Sequence, residues 1–79
     1  MEYWHGTCPI CDQGRLFITL NHDAGELFLL CEECESAWRK PEEIDVRSHH
    51  GFEGAKIRRA NSAEIESFGW SRYTLNQIE

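Results

Sequence analysis

Apolar and polar residues alternate from Arg15 to Leu20, with Leu16, Ile18 and Leu20 on one side and Phe17 and Thr19 on the other. A period of two marks a strand. Asn21-His22-Asp23-Ala24-Gly25 is rich in turn formers and reads as a hairpin loop, with Glu26 to Leu30 as the return strand. Ser36-Ala37-Trp38-Arg39 reads as a third strand, and residues 1–7, carrying Tyr3 and Trp4, as an approach strand or tail. Pro41-Glu42-Glu43-Ile44 predicts a short helical turn, with Pro where the first turn tolerates it. Gly51 and Gly54 break the pattern between Asp45 and Ala60, and the expectation there is a long loop with a short strand at Ala55-Lys56-Ile57-Arg58. At Asn61 the period becomes helical. Asn61 is a favourable cap, Glu64 stands three residues on, and Ile65 and Phe68 share a face. Gly69 is a natural stop, and Trp70 to Glu79 reads as a second helical turn or an extended tail that packs through Trp70, Leu75 and Ile78.

The cysteines change this picture most. Their spacing is Cys8-x₂-Cys11-x₁₉-Cys31-x₂-Cys34, which falls in the pattern of a four-cysteine zinc site. Two intervening residues let a tight turn aim both sulfurs of a pair at one point, half of a tetrahedron. Gly14 suits the positive φ expected of such a turn. Nineteen residues are enough for a hairpin that brings the second pair back to the first, and the turns leave backbone N–H groups to donate to the sulfurs. Two disulfides are the alternative in an oxidising compartment. A redox CxxC needs a pair opening a helix after a strand, whereas these pairs flank a hairpin. Iron fits the same four ligands. His5, His22 and the pair His49-His50 read as surface residues beside a site that four cysteines already fill.

Cys8-Pro9-x-Cys11-x-x-Gly14-x-Leu16, the hairpin, Cys31-x-x-Cys34 and Trp38 together resemble a zinc ribbon over residues 6–40. The resemblance implies a small α+β fold: two knuckles on an antiparallel hairpin or three-stranded sheet, holding one structural Zn²⁺ through Cys8, Cys11, Cys31 and Cys34. Glu35 stands where such ribbons often have Gly after the second pair. The whole, residues 1–79, reads as one domain: the ribbon at 6–40, a loop with short elements at 41–60, and a C-terminal helix and tail at 61–79. Trp38, Phe68 and Trp70 are expected in the core between ribbon and helix. The fold carries many functions, so the match speaks to fold and metal.

A chain of 79 residues buries little apolar area, and a metal staple fits that size. No basic region followed by an apolar stretch opens the chain, and no apolar run is long enough to span a membrane; cytoplasmic location is the expectation. The net charge is −6, and four thiolates with one Zn²⁺ bring it to about −8. That sign opposes general nucleic-acid binding and suits a cationic protein partner. Acids gather at Glu32, Glu33, Glu35, Glu42, Glu43 and Asp45; bases gather at Arg47, Lys56, Arg58 and Arg59. Two solvated faces are the plainer account of those runs. Four thiolates leave zinc no open position for water, so the expectation is not an enzyme. It is a structural-zinc interaction module, with the acids above as its partner surface and Trp4 or Tyr73 as an exposed anchor. By size and charge it resembles a small inhibitor or immunity protein against a basic protein such as a toxin nuclease. A nucleic-acid-binding or transcription-associated ribbon is the second reading, resting on Lys56, Arg58 and Arg59 near Phe52.

Overall fold

The structure, a computed structural model, describes residues 2–34, 36–44, 56–73 and 75–78. Of the loop expected between Asp45 and Ala60, residues 45–55 lie outside the described residues, and with them Asp45, Arg47, His49, His50, Gly51, Phe52, Gly54 and Ala55; so does Glu35.

The predicted hairpin is the centre of the fold. Strands β1 (Glu2–Thr7), β2 (Arg15–Asn21) and β3 (Glu26–Cys31) are antiparallel, and β4 (Ala37–Trp38), within the stretch expected as a third strand, pairs with β3. The register Leu16↔Cys31, Ile18↔Leu29 and Leu20↔Leu27 puts the apolar series of both hairpin strands on one face, continued by Trp38 opposite Leu29. Among the described residues the sheet is larger than three strands. β5 (Ile57–Arg59) pairs with Thr19, Leu20 and Asn21, on the same edge of β2 where β1 pairs with Arg15 and Phe17. The last strand, β6 (Asn76–Ile78), pairs antiparallel with β1, so the predicted tail forms an edge strand of the sheet rather than trailing from it. β1 shifts register between Trp4 and Thr7, where Gly6 takes φ +73°, the left-handed conformation a bulge of this kind requires.

One core lies on the face carrying Leu16, Ile18, Leu20, Leu27, Leu29 and a fully buried Trp38; Ala60 and Ile65 close over it, and Cys8 and Cys31 belong to it. Removing each such large side chain from water contributes about 1.5–3 kcal/mol. β2 is buried on both faces, since Phe17 and Thr19 are also inaccessible. The Arg59 guanidinium lies 4.5 Å and that of Arg15 5.3 Å from the Phe17 ring centroid, so cation–π stacking covers part of the second face.

The helix α1 (Ser62–Ser67) starts where the cap predicted it. Asn61 Oδ1 accepts from the Glu64 N–H at 2.8 Å, and the Glu64 carboxylate accepts from the Asn61 N–H at 3.0 Å. Six residues are too few to hold a helix in water, so packing of Ile65 must supply the rest. Gly69 ends it with φ +77°, and a 3-10 turn at Trp70–Arg72 follows. A second 3-10 turn occupies Pro41–Glu43. The expectation of a shared buried face fails for Phe68: it is 42% exposed, while Ile65 is buried. The helix ends at Ser67, and Phe68 caps it outside the packed turn. Trp38 and the half-buried Trp70 do pack on the core.

Candidate metal centre

The two cysteine pairs sit where the sheet's ends turn. The first turn leads from β1 into β2. The Cys8 N–H donates to the Gly14 carbonyl at 2.8 Å and the Asp12 N–H to the Cys8 carbonyl at 3.0 Å. The second turn leads from β3 towards β4. The Cys31 N–H donates to the Ser36 carbonyl at 2.9 Å and the Glu32 N–H to the Arg15 carbonyl at 3.1 Å. Each turn is therefore closed by its own backbone before any sulfur contact is counted.

The turns bring all four sulfurs within 4.8 Å of one another, and all four cysteines are free of disulfides. Cys8 Sγ is 3.6 Å from Cys34 Sγ, and Cys11 Sγ is 3.6 Å from Cys31 Sγ. A tetrahedral ion with metal–sulfur bonds of about 2.3 Å separates its sulfurs by about 3.8 Å. The donor set fits a four-coordinate thiophilic cation. Among the described residues this is the only group of His, Cys, Asp or Glu side chains gathered closely enough to hold a metal.

Backbone amides surround the sulfurs as the knuckle spacing implies. N–H groups of Ile10, Gly14, Glu33 and Cys34 donate to sulfur, each at 3.4 Å: Ile10 to Cys8, Gly14 to Cys11, and the other two to Cys31. The protein acts unequally on the four thiols. Burial pushes Cys31 up to about 12 and raises Cys8, whereas the Gly14 N–H lowers Cys11. The exposed Cys34 is held down to about 6, chiefly by the Ser36 hydroxyl 3.2 Å away, which donates to the thiolate. A bound divalent cation favours the thiolate at every position.

Gly14 has a different role from the one expected of it. Positive φ in the first knuckle falls on Asp12, at 58°, a residue type that tolerates it. Gly14 is instead required by proximity. A Cβ there would lie 2.3 Å from Cys31 Sγ, a sulfur of the opposite knuckle.

The residues expected at a partner surface are placed very differently. Glu32 is engaged within the chain: its carboxylate accepts from Arg15 through the backbone N–H at 2.8 Å, Nε at 2.6 Å and an Nη at 3.0 Å. Those bonds hold Glu32 below the usual carboxylate range and clasp one knuckle's exit to the other. Trp4 is half-buried with Arg15 5.9 Å above its ring, so it is not the exposed anchor that was expected. Tyr73 is half-buried too. Its hydroxyl donates to Glu42 at 2.6 Å and lowers that carboxyl, while Arg72 donates to the same hydroxyl at 2.6 Å. Glu43 stands 3.9 Å from Lys40, and Glu33 is exposed beside its own knuckle. Glu32 thus belongs to a Trp4–Arg15–Glu32 group and Glu42 to a Glu42–Tyr73–Arg72 group, whereas Glu33 stays exposed. His22 is exposed in the hairpin turn and accepts from Arg58 Nε at 3.2 Å. His5 lies edge-on to Tyr73, with ring centroids 6.2 Å apart.

Sequence reasoning missed Ser36 and Arg15. A hydroxyl two residues after the last cysteine, and a base directly after Gly14 with an acid directly after Cys31, were the available signals.

No helix among the described residues is long and apolar enough to cross a membrane. Compared with models of known protein families, with curated proteins and with solved structures, the chain matches none.

Proposed function

We propose that this chain is a non-catalytic interaction module of zinc-ribbon type, built on one structural Zn²⁺ held by Cys8, Cys11, Cys31 and Cys34, and that it binds a basic protein. The observation carrying the metal part is the convergence of four free sulfurs within 4.8 Å. Four thiolates favour zinc among the common intracellular cations and complete its tetrahedron, leaving no position for a catalytic water. The support for a basic partner is the net charge of −6. Opposed net charges speed encounter and make it salt-dependent. The reading extends to neutralisation of a basic toxin such as a nuclease; size and charge alone support that extension.

Pull-down from the source cells at low and moderate salt, read by mass spectrometry and repeated with the purified pair, tests the reading. The expected result is a protein of high isoelectric point, bound saturably by the zinc-loaded chain and released as salt rises. Submicromolar binding of duplex DNA or RNA at physiological salt, weakened by Arg59→Glu, overturns it in favour of a nucleic-acid module. Non-specific binding otherwise lies at about 10⁻⁴ to 10⁻⁶ M.

A further inference from the structure

Away from the cysteines, a groove of about 380 Å³ runs between α1 and the β1–β6 edge of the sheet. Its floor is Ile65 and Leu75, its sheet wall is Tyr3, and Ser62, Ser71 and Glu66 line its mouth. Ser62, Ile65 and Glu66 share one helix face, and all three line the groove. Glu66 is exposed, and no hydrogen bond or ion pair from the described residues reaches its carboxylate. The other acids near this side are engaged. Glu64 is bonded to Arg58 and the Asn61 N–H, and Glu42 to Tyr73. Arg72, between the lining residues Ser71 and Tyr73, is engaged with the Tyr73 hydroxyl and with Glu42, 3.5 Å distant.

An apolar floor, an aromatic wall and one unengaged carboxylate at the rim match a single kind of side chain. A long aliphatic stem with a cationic head buries its methylenes on Ile65 and Leu75, lays its charge near the Tyr3 ring and ends at Glu66. We infer that this groove receives one arginine or lysine side chain of the basic protein partner. The inference rests on the reading of the chain as a binder of basic proteins, and it moves the contact from the acidic knuckle to the helix side of the sheet. Glu32 cannot serve a partner without giving up Arg15, whereas no side chain among the described residues holds the Glu66 carboxylate.

The test uses the zinc-loaded full chain and two blocked pentapeptides: Ala-Ala-Arg-Ala-Ala, and the same peptide with neutral, isosteric citrulline for arginine. Backbone amide shifts are followed by NMR up to millimolar peptide. Saturable shifts at Ser62, Glu66 and Ser71 are expected with the arginine peptide, and at least tenfold weaker binding with citrulline. Glu66→Gln should reduce the arginine peptide to the citrulline level, while Glu26→Gln, the same charge change at the far hairpin, should leave it unaltered. Glu66 is exposed, and unchanged zinc content and amide dispersion confirm that the variant is folded. Equal binding of the two peptides, shifts elsewhere only, or indifference to Glu66→Gln overturns the inference. If the groove fails while a basic protein still binds the chain in a salt-dependent way, the module reading stands with its contact elsewhere. Submicromolar duplex binding is the separate result that removes the module reading itself.

Discussion

At one end of β2, Arg15 leaves a knuckle whose turns are closed by backbone hydrogen bonds and whose centre is four sulfurs within 4.8 Å. At the other end, β5 pairs with Leu20 and leads into a six-residue helix that docks through Ile65. The first end has four ionisable thiols at its centre, close enough to share one metal ion. The second is held by apolar contact, a capping box and the Arg58–Glu64 pair. The difference teaches how a 79-residue chain divides its stabilisation. The ends share β2: β1, β2 and β3 all enter or leave the cysteine turns, whereas α1 packs on the sheet through Ile65.

Removing the metal is the largest perturbation. Structural zinc contributes on the order of 10–16 kcal/mol in zinc-finger peptides, more than a core of this size replaces. Chelation should abolish near-UV circular dichroism at both ends, with residual helical signal at most. An unchanged thermal midpoint after chelation would show that the helix end supports the sheet by itself. Acid should act in the same direction. The metal requires thiolates, so its binding releases protons and its affinity falls as pH falls.

Ile65→Ala reverses the experiment. Truncating a buried Ile costs about 2–5 kcal/mol, and this loss should appear as a lower denaturation midpoint with metal stoichiometry unchanged. Loss of metal from this variant would mean that the ends are mutually dependent.

Gly14→Ala sharpens the comparison inside the cysteine end. The added Cβ meets Cys31 Sγ at 2.3 Å, so the two knuckles must move apart. Changes beside metal ligands typically cost about 10–100-fold in affinity. Competition with a chelator should read that loss. An unaltered metal affinity would show that the knuckle adjusts freely and that the close approach is incidental.

Glu32→Gln is the smallest change. Glu32 lies below its ordinary carboxylate range because Arg15 binds its charged form. Its ionic contribution is therefore present above the unfolded carboxyl pKa and disappears as pH falls through the lower folded value. The variant should lose a little thermal stability from neutral pH down to the carboxylate range, and the difference from the parent should shrink only within it. A difference that grows with acid would contradict the assignment.

The cysteine end was the more legible of the two in the sequence, because its signals are local: the CxxC spacing, the alternation of Leu16, Ile18 and Leu20, and the turn residues from Asn21 to Gly25. The capping box at Asn61 and Glu64 was local too. What escaped depends on distant partners. Nothing near Asn76–Ile78 announces that it pairs with Glu2–Trp4, and no periodicity tells Ile57–Arg59 to share an edge of β2 with β1. Gly14 was assigned a conformational role because φ can be guessed locally, while its approach to Cys31 depends on the opposite knuckle. The acidic run around Glu32 read as free charge for the same reason, its partner Arg15 being seventeen residues away.

If the four sulfurs close around one structural ion, as proposed, the ion and the state of the thiols are both measurable. Elemental analysis of protein purified without added metal, paired with mass spectrometry of its thiols, tests that proposal most directly. One equivalent of zinc per chain, four cysteines protected from alkylation until a chelator is added, and no zinc retained by Cys31→Ser are the expected results. Metal-free protein with disulfide-bonded cysteines, or a Cys31→Ser chain that keeps a full equivalent, would contradict it.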